Sequence, residues 1–121
     1  MLQAYLRQVI NASQYSFAGL RRAFRTEKAF QLEVYTLPAI TLLLLVLQPG
    51  AGWSAAAIIG WLAVMAAELL NSSLEEAFDL ISLERNEHIK DGKDMASAAI
   101  FVMCAGNGFL WVCLLYHVFT E

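Results

Sequence analysis

The sequence predicts an all-α membrane protein, with an N-terminal surface helix followed by three crossings. Three observations carry that reading. Hydrophobic residues make up 59% of 121 positions, against roughly 45–50% in soluble domains, and the mean hydropathy is +0.54. Between Val34 and Ala67 there is neither a charged residue nor a histidine, and a second such run extends from Met95 to Tyr116. All eight Lys and Arg lie either before Val34 or between Arg85 and Lys93. A single domain of this size has no interior large enough to hide so much apolar surface from water.

Residues 2–25 read as an amphipathic helix. Leu2, Leu6, Val9, Ser13, Phe17, Leu20 and Phe24 share one face, while Arg7, Asn11, Arg21, Arg22 and Arg25 lie on the other. That pattern suits a helix lying in the membrane interface, its cations turned toward lipid phosphates. The stretch from Met1 to Gln14 contains no continuous apolar segment, so no secretory signal is expected.

The long uncharged run is broken by Gln48-Pro49-Gly50-Ala51-Gly52, which is turn chemistry. It divides into crossings at about 30–47 and 53–70, each near the roughly 20 residues that span a bilayer. Pro38 sits in the first half of the earlier crossing, where it is placed to bend the helix, and Trp53 suits the interfacial belt. The second crossing continues as a cytoplasmic helix through Asp79. A loop is expected around Glu84 to Gly92, with His88 in it. The third crossing is expected at about 95–117, opened by Lys93-Asp94. Along it, Ala96, Ser97, Ala98, Ala99, Gly106 and Gly108 are small enough to allow close helix approach. Cys104 and Cys113 form no CxxC or Cys/His cluster and read as small apolar packing residues. Net charge is −3, but its placement says more: the positive-inside rule puts the N-terminus and segment 79–94 in the cytoplasm, and the 48–52 loop and C-terminus on the other side.

The chemistry concentrates where the second crossing leaves the apolar region. At about 100° per residue, Glu68, Asn71, Ser72, Glu75 and Asp79 share one helix face. A carboxyl group at the edge of a bilayer is costly and marks a functional site by default. Glu68 has no Lys or Arg within a turn, and a partly dry carboxylate of this kind suits a general base. Glu76 points further round and reads as a solvated acid. Glu27, just ahead of the first crossing, and Glu75 make a carboxylate pair suited to Mg²⁺ shared with phosphate oxygens. Lys93 at a helix start opposes the macrodipole, which a bound phosphate would explain. Neither a GxxxxGK[ST] loop nor a protein-kinase glycine-rich loop is present. Three thin helices enclose a site poorly, so a homo-oligomer that buries Glu68 between protomers is expected.

The run Glu68-Leu-Leu-Asn71-Ser72, followed by Glu75, Asp79, Glu84 and Lys93-Asp94-Met95-Ala96-Ser97-Ala98-Ala99, resembles the small bacterial integral-membrane diacylglycerol kinases. So do Tyr15-Ser16, Gly19-Leu20-Arg21, Glu27, Ala29-Phe30 and Glu33. The resemblance runs from about Arg7 to Tyr116. It implies a three-crossing homotrimer in the bacterial inner membrane, its 48–52 loop and C-terminus periplasmic. It implies transfer of the γ-phosphate of MgATP to diacylglycerol, with Mg²⁺ as cofactor, ATP as co-substrate and no nucleic-acid partner. Residue by residue, it makes Glu68 the base, Asn71 an orienting group, and Glu27 and Glu75 the Mg²⁺ ligands. Lys93 becomes the phosphate contact, Tyr15, Glu84, Asn86 and Asp94 place the nucleotide, and Ser97 and Glu33 lie on the lipid side. The chain departs from the family pattern at Gln8, where Arg is frequent, and at Asn86, where His is frequent. Two rival readings are a kinase of the same fold acting on undecaprenol and a non-catalytic membrane subunit.

Overall fold

The computed structural model describes residues 1–84 and 86–121; Arg85, a cation of the expected cytoplasmic segment, lies outside the described residues. Among the described residues the secondary structure is entirely helical. The elements are α1 (Leu2–Thr26), α2 (Lys28–Leu47), α3 (Ala51–Ile81) and α4 (Glu87–Thr120). The last three are long and apolar enough to cross a membrane.

A single residue, Glu27, joins α1 to α2. Its extended backbone (φ −102°, ψ 108°) ends one helix and starts the next, and its N–H still donates to the Ala23 carbonyl. Two contacts brace this elbow. Gln31 Nε2 donates to the otherwise orphaned Phe24 carbonyl at 2.7 Å, and the Phe24 and Tyr35 rings meet edge to face at 5.9 Å. Leu2, Leu6, Val9 and Phe17 remain exposed along α1, as an interfacial helix requires.

α2 runs unbroken through Pro38, although that ring leaves the Val34 carbonyl without its helical donor. Gln48 then closes α2 in the left-handed conformation (φ 47°), and Gly50 starts α3 at φ 101°, a backbone that a Cβ would oppose. The result is a three-residue reversal, shorter than the turn read from sequence because Ala51 and Gly52 already belong to α3.

α3 and α4 form the most extensive packing pair, running antiparallel. At the far end Trp53 stacks on His117 at 5.5 Å, above a core of Ile40, Leu44, Ala57 and Leu114. At mid-height Asn107 Nδ2 donates to the Gly60 carbonyl at 2.9 Å and to the Met103 carbonyl at 3.0 Å. Near the N-terminal end of α4 the Phe78 ring points at Gly92.

Three expectations need correction here. The close approaches are made by Gly60 and Gly92; a side chain at Gly106 or Gly108 would project into open space. Asn107 faces α3, so its two neighbours are turned about 100° to either side. Second, α4 begins at Glu87, six residues ahead of the expected Lys93 start, so His88 lies in its first turn. The Asn86 side chain caps it, accepting from the His88 N–H at 2.9 Å, and Gly92 is a contact glycine within the helix, with no break there. Third, Cys104 is exposed on the single chain, whereas Cys113 is half-buried.

Candidate active site

Length positions the site. At 1.5 Å per residue, α3 and α4 are about 46 and about 51 Å long, well beyond a hydrocarbon core of about 30 Å. Both must therefore extend into water. Glu68 lies roughly 26 Å from the start of α3, near the opposite edge of the apolar layer, and the next three turns carry Asn71, Glu75 and Asp79 out of it.

Acids converge at that edge. Glu33 of α2 and Glu68 and Asn71 of α3 are each 8% exposed. Glu68 is within electrostatic reach of Glu75 and of Glu27 at the elbow, and Glu33 is within reach of Glu68. Asn71 Nδ2 leans toward Glu75 Oε1 at 3.5 Å, and the Thr26 hydroxyl donates to Glu27 Oε1 at 3.0 Å. Among the described residues Glu33 Oε2 and Asn71 Oδ1 are buried without a hydrogen-bond partner, which is costly for polar atoms. Crowded carboxylates repel one another and favour a proton, a cation or an added donor among them.

The donor set is all hard oxygen, the kind Mg²⁺ takes. Among the described residues no three Asp, Glu, His or Cys side chains gather tightly enough to enclose a metal. A pair such as Glu27 and Glu75 fits an ion that draws its remaining ligands from phosphate and water.

Cations stand one level further out. Lys93 Nζ donates to Asp79 Oδ1 at 2.7 Å, and Lys90 pairs with Asp94 at 3.0 Å across one helical turn. Lys93 is also within electrostatic reach of Glu75, which links the two groups of charges. Asp79, Glu84, Asn86, Lys90, Lys93 and Asp94 line a cleft of about 290 Å³. Lys93 stands inside α4, in its second turn. The expected convergence of its ammonium with free helix N–H groups is therefore replaced by its ion pair to α3.

A larger cleft, about 760 Å³, separates α1 from α3. Its walls include Ser16, Gly19, Leu20, Ala23, Leu69 and Ser72, with Glu27 at the elbow end. Arg22 and Glu76 approach across it at 3.4 Å. Both are exposed, and a pair of that kind contributes about 0–1 kcal/mol.

The arrangement is therefore an apolar groove between α1 and α3, a buried acid, Glu68, on the α3 turn that also carries the groove residue Leu69, and a charged cleft further along α3 and α4. The model of the prokaryotic diacylglycerol kinase family matches residues 14–115. The chain belongs to that family. It is similar to the diacylglycerol kinase of Pseudomonas aeruginosa, with 37% identity over 93% of this chain and 92% of the relative. It is also similar to that of Haemophilus influenzae, at 35% over 92% and 94%, and to that of Escherichia coli K12, at 32% over 93% and 92%. As a member of the prokaryotic diacylglycerol kinase family the chain is an enzyme, a membrane lipid kinase that uses ATP as co-substrate.

Against the family's expected site, the single chain assembles two groups and leaves two residues apart. Glu27, Glu33, Glu68, Asn71 and Glu75 converge at the membrane edge. Glu84, Asn86, Lys93 and Asp94 share the water-side cleft. Tyr15 is 75% exposed and lies with Arg7, Gln8 and Asn11 along a shallow groove on α1. Ser97 is exposed on α4. The Asn86 carboxamide already spends its oxygen on the α4 cap, leaving its NH₂ free to donate. Two features escaped the sequence reading. Helix periodicity marks Asp79 as an acid of the stripe and not as the partner of Lys93, and it does not mark Asn107. The second had a signal: Asn107 is an uncharged polar residue alone in the middle of an apolar run.

Proposed function

We propose that this kinase transfers the γ-phosphate of MgATP to the primary hydroxyl of diacylglycerol, giving phosphatidic acid by direct in-line attack. The observation that carries the reading is the burial of Glu68 on α3, next in sequence to Leu69 of the α1–α3 groove wall and linked through Glu75 to the cleft that bears Lys93.

The lipid would lie in the groove between α1 and α3, its hydroxyl at the height of Glu68. Glu68 takes the hydroxyl proton as the oxygen forms its bond to the γ-phosphorus. The bond from that phosphorus to the β–γ bridging oxygen breaks, and ADP departs with the electron pair. Asn71, whose carboxamide oxygen has no partner in the single chain, orients groups around Glu68. Lys93 sits against the phosphates and offsets charge on the leaving side. Glu27 and Glu75 would hold Mg²⁺, which when bound shields the β- and γ-phosphate oxygens. Glu84, Asn86, Asp94 and Tyr15 place the nucleotide, and Ser97 and Glu33 face the lipid side. Phosphoryl transfer asks chiefly for positioning and charge stabilisation, which this set supplies.

Three further statements belong to the same reading. Glu33 Oε2 and Asn71 Oδ1, which have no partner among the described residues, and the exposure of Tyr15 and Ser97 support a homotrimer that completes each site. The distribution of basic residues supports a cytoplasmic location for the N-terminus and segment 79–94. The membrane is the bacterial inner membrane, with the 48–52 loop and C-terminus periplasmic.

The test is ATP-dependent phosphorylation by the purified protein in mixed micelles, offering diacylglycerol and undecaprenol separately, with and without Mg²⁺. Mg²⁺-dependent label on diacylglycerol is the expected result. Label on undecaprenol alone would keep the site and replace the acceptor, and no label on either would return the chain to a non-catalytic role.

A further inference from the structure

A glycine inside a helix is a poor choice unless something needs its missing side chain. Gly92 is the sixth residue of α4, and the tip of the Phe78 ring from α3 occupies the space a side chain would fill. A Cβ built there would lie 3.1 Å from both ε carbons of the ring, with the ζ carbon nearer still. The next residue on each helix belongs to the charged cleft: Asp79 follows Phe78, Lys93 follows Gly92, and the two are joined at 2.7 Å.

The ion pair is not what holds the helices at this distance. Its side chains are 36% and 53% exposed, and water-facing pairs of this kind contribute little. The ring and the glycine are both half-buried, and ring atoms against a bare Cα make a stiff steric contact.

We propose that Phe78 and Gly92 form a size-matched wedge that positions Lys93 for the nucleotide phosphates. The inference rests on the reading of Lys93 as a phosphate contact. Phe78 and Gly92 touch no substrate; they act through the spacing of α3 and α4. A methyl group at position 92 forces the ring aside or the helices apart, and a smaller side chain at position 78 makes room for it.

The test is steady-state kinetics of the full-length enzyme in mixed micelles, varying MgATP and the lipid separately. Thermal inactivation is followed in parallel. Gly92→Ala is expected to raise KM for MgATP about fivefold while leaving KM for the lipid nearly unchanged, and to lower the inactivation temperature as overpacking does. Phe78→Val combined with Gly92→Ala is expected to bring KM for MgATP back to within about twofold of the parent, the coupling that touching residues show. Phe78→Leu alone, which introduces no clash, is expected to raise KM for MgATP about threefold through lost spacing, and it reads the wedge even if Gly92→Ala does not fold. An unchanged KM for MgATP in Gly92→Ala and Phe78→Leu overturns the proposal, as does a double variant no better than Gly92→Ala. Lys93→Met separates the two levels. If it leaves both kinetic constants intact, the phosphate role of Lys93 fails. If it is impaired while the wedge variants are not, the wedge alone fails.

Discussion

Asp79 and Lys93 meet between α3 and α4, beyond the buried acids: Lys93 Nζ donates to Asp79 Oδ1 at 2.7 Å across 14 residues of sequence. The contact holds an ammonium at the charged cleft, where the proposed nucleotide site would need it.

Removing the carboxylate without changing its shape isolates that function. Asp79→Asn is expected to leave the inactivation temperature nearly unchanged, because the pair is water-facing. KM for MgATP is expected to rise several-fold as Lys93 loses its fixed position. Lys93→Met is expected to lower kcat by about 100-fold or more, the scale of losing one pre-placed charge-stabilising group. Turnover measured against MgATP concentration distinguishes the two.

Glu68→Gln keeps size and hydrogen-bonding capacity and removes the proposed base. Lipid phosphorylation is expected to fall by about 100-fold or more, while the variant keeps the parent's elution volume in detergent. Near-normal turnover would sink the assignment of Glu68.

Glu75→Gln addresses the metal. Its expected signature is a shift of the Mg²⁺ titration to about tenfold higher concentration, in the range seen when a metal site loses a supporting group. A titration that overlays the parent's would remove Glu75 from the ligand set.

Gly60→Ala is a stability prediction away from the chemistry. The added Cβ would sit 2.8 Å from Asn107 Oδ1, inside van der Waals contact. Overpacking of this kind costs about 1–3 kcal/mol. Asn107→Leu loses two hydrogen bonds, each worth about 0.6 kcal/mol on average within a membrane. Both are expected to lower the temperature of irreversible inactivation while leaving KM for MgATP unchanged.

The membrane class and the helix order were legible because they follow from where charges are missing, a property of composition that needs no tertiary knowledge. The acid stripe from Glu68 to Asp79 was legible for a related reason: one continuous helix fixes its own angular spacing. The Asp79–Lys93 pair was not, because it depends on how α3 and α4 cross. The start of α4 was misplaced because Gly92 looked like a break, whereas the stronger signal was Asn86, a good N-cap residue three positions after Leu83. Whether Gly92 ends a helix or receives a ring is decided by Phe78, a residue on a different element.

The Asn107 clasp bears on how the chain enters the bilayer. A carboxamide threaded into lipid on its own would carry donors with no acceptor beyond its own helix. The Gly60 carbonyl belongs to the preceding crossing, so during synthesis the acceptor is already in place when the last helix arrives. The final two crossings are thereby suited to settle as a hairpin, and the chain's order of emergence from the ribosome matches the order in which its polar groups need one another.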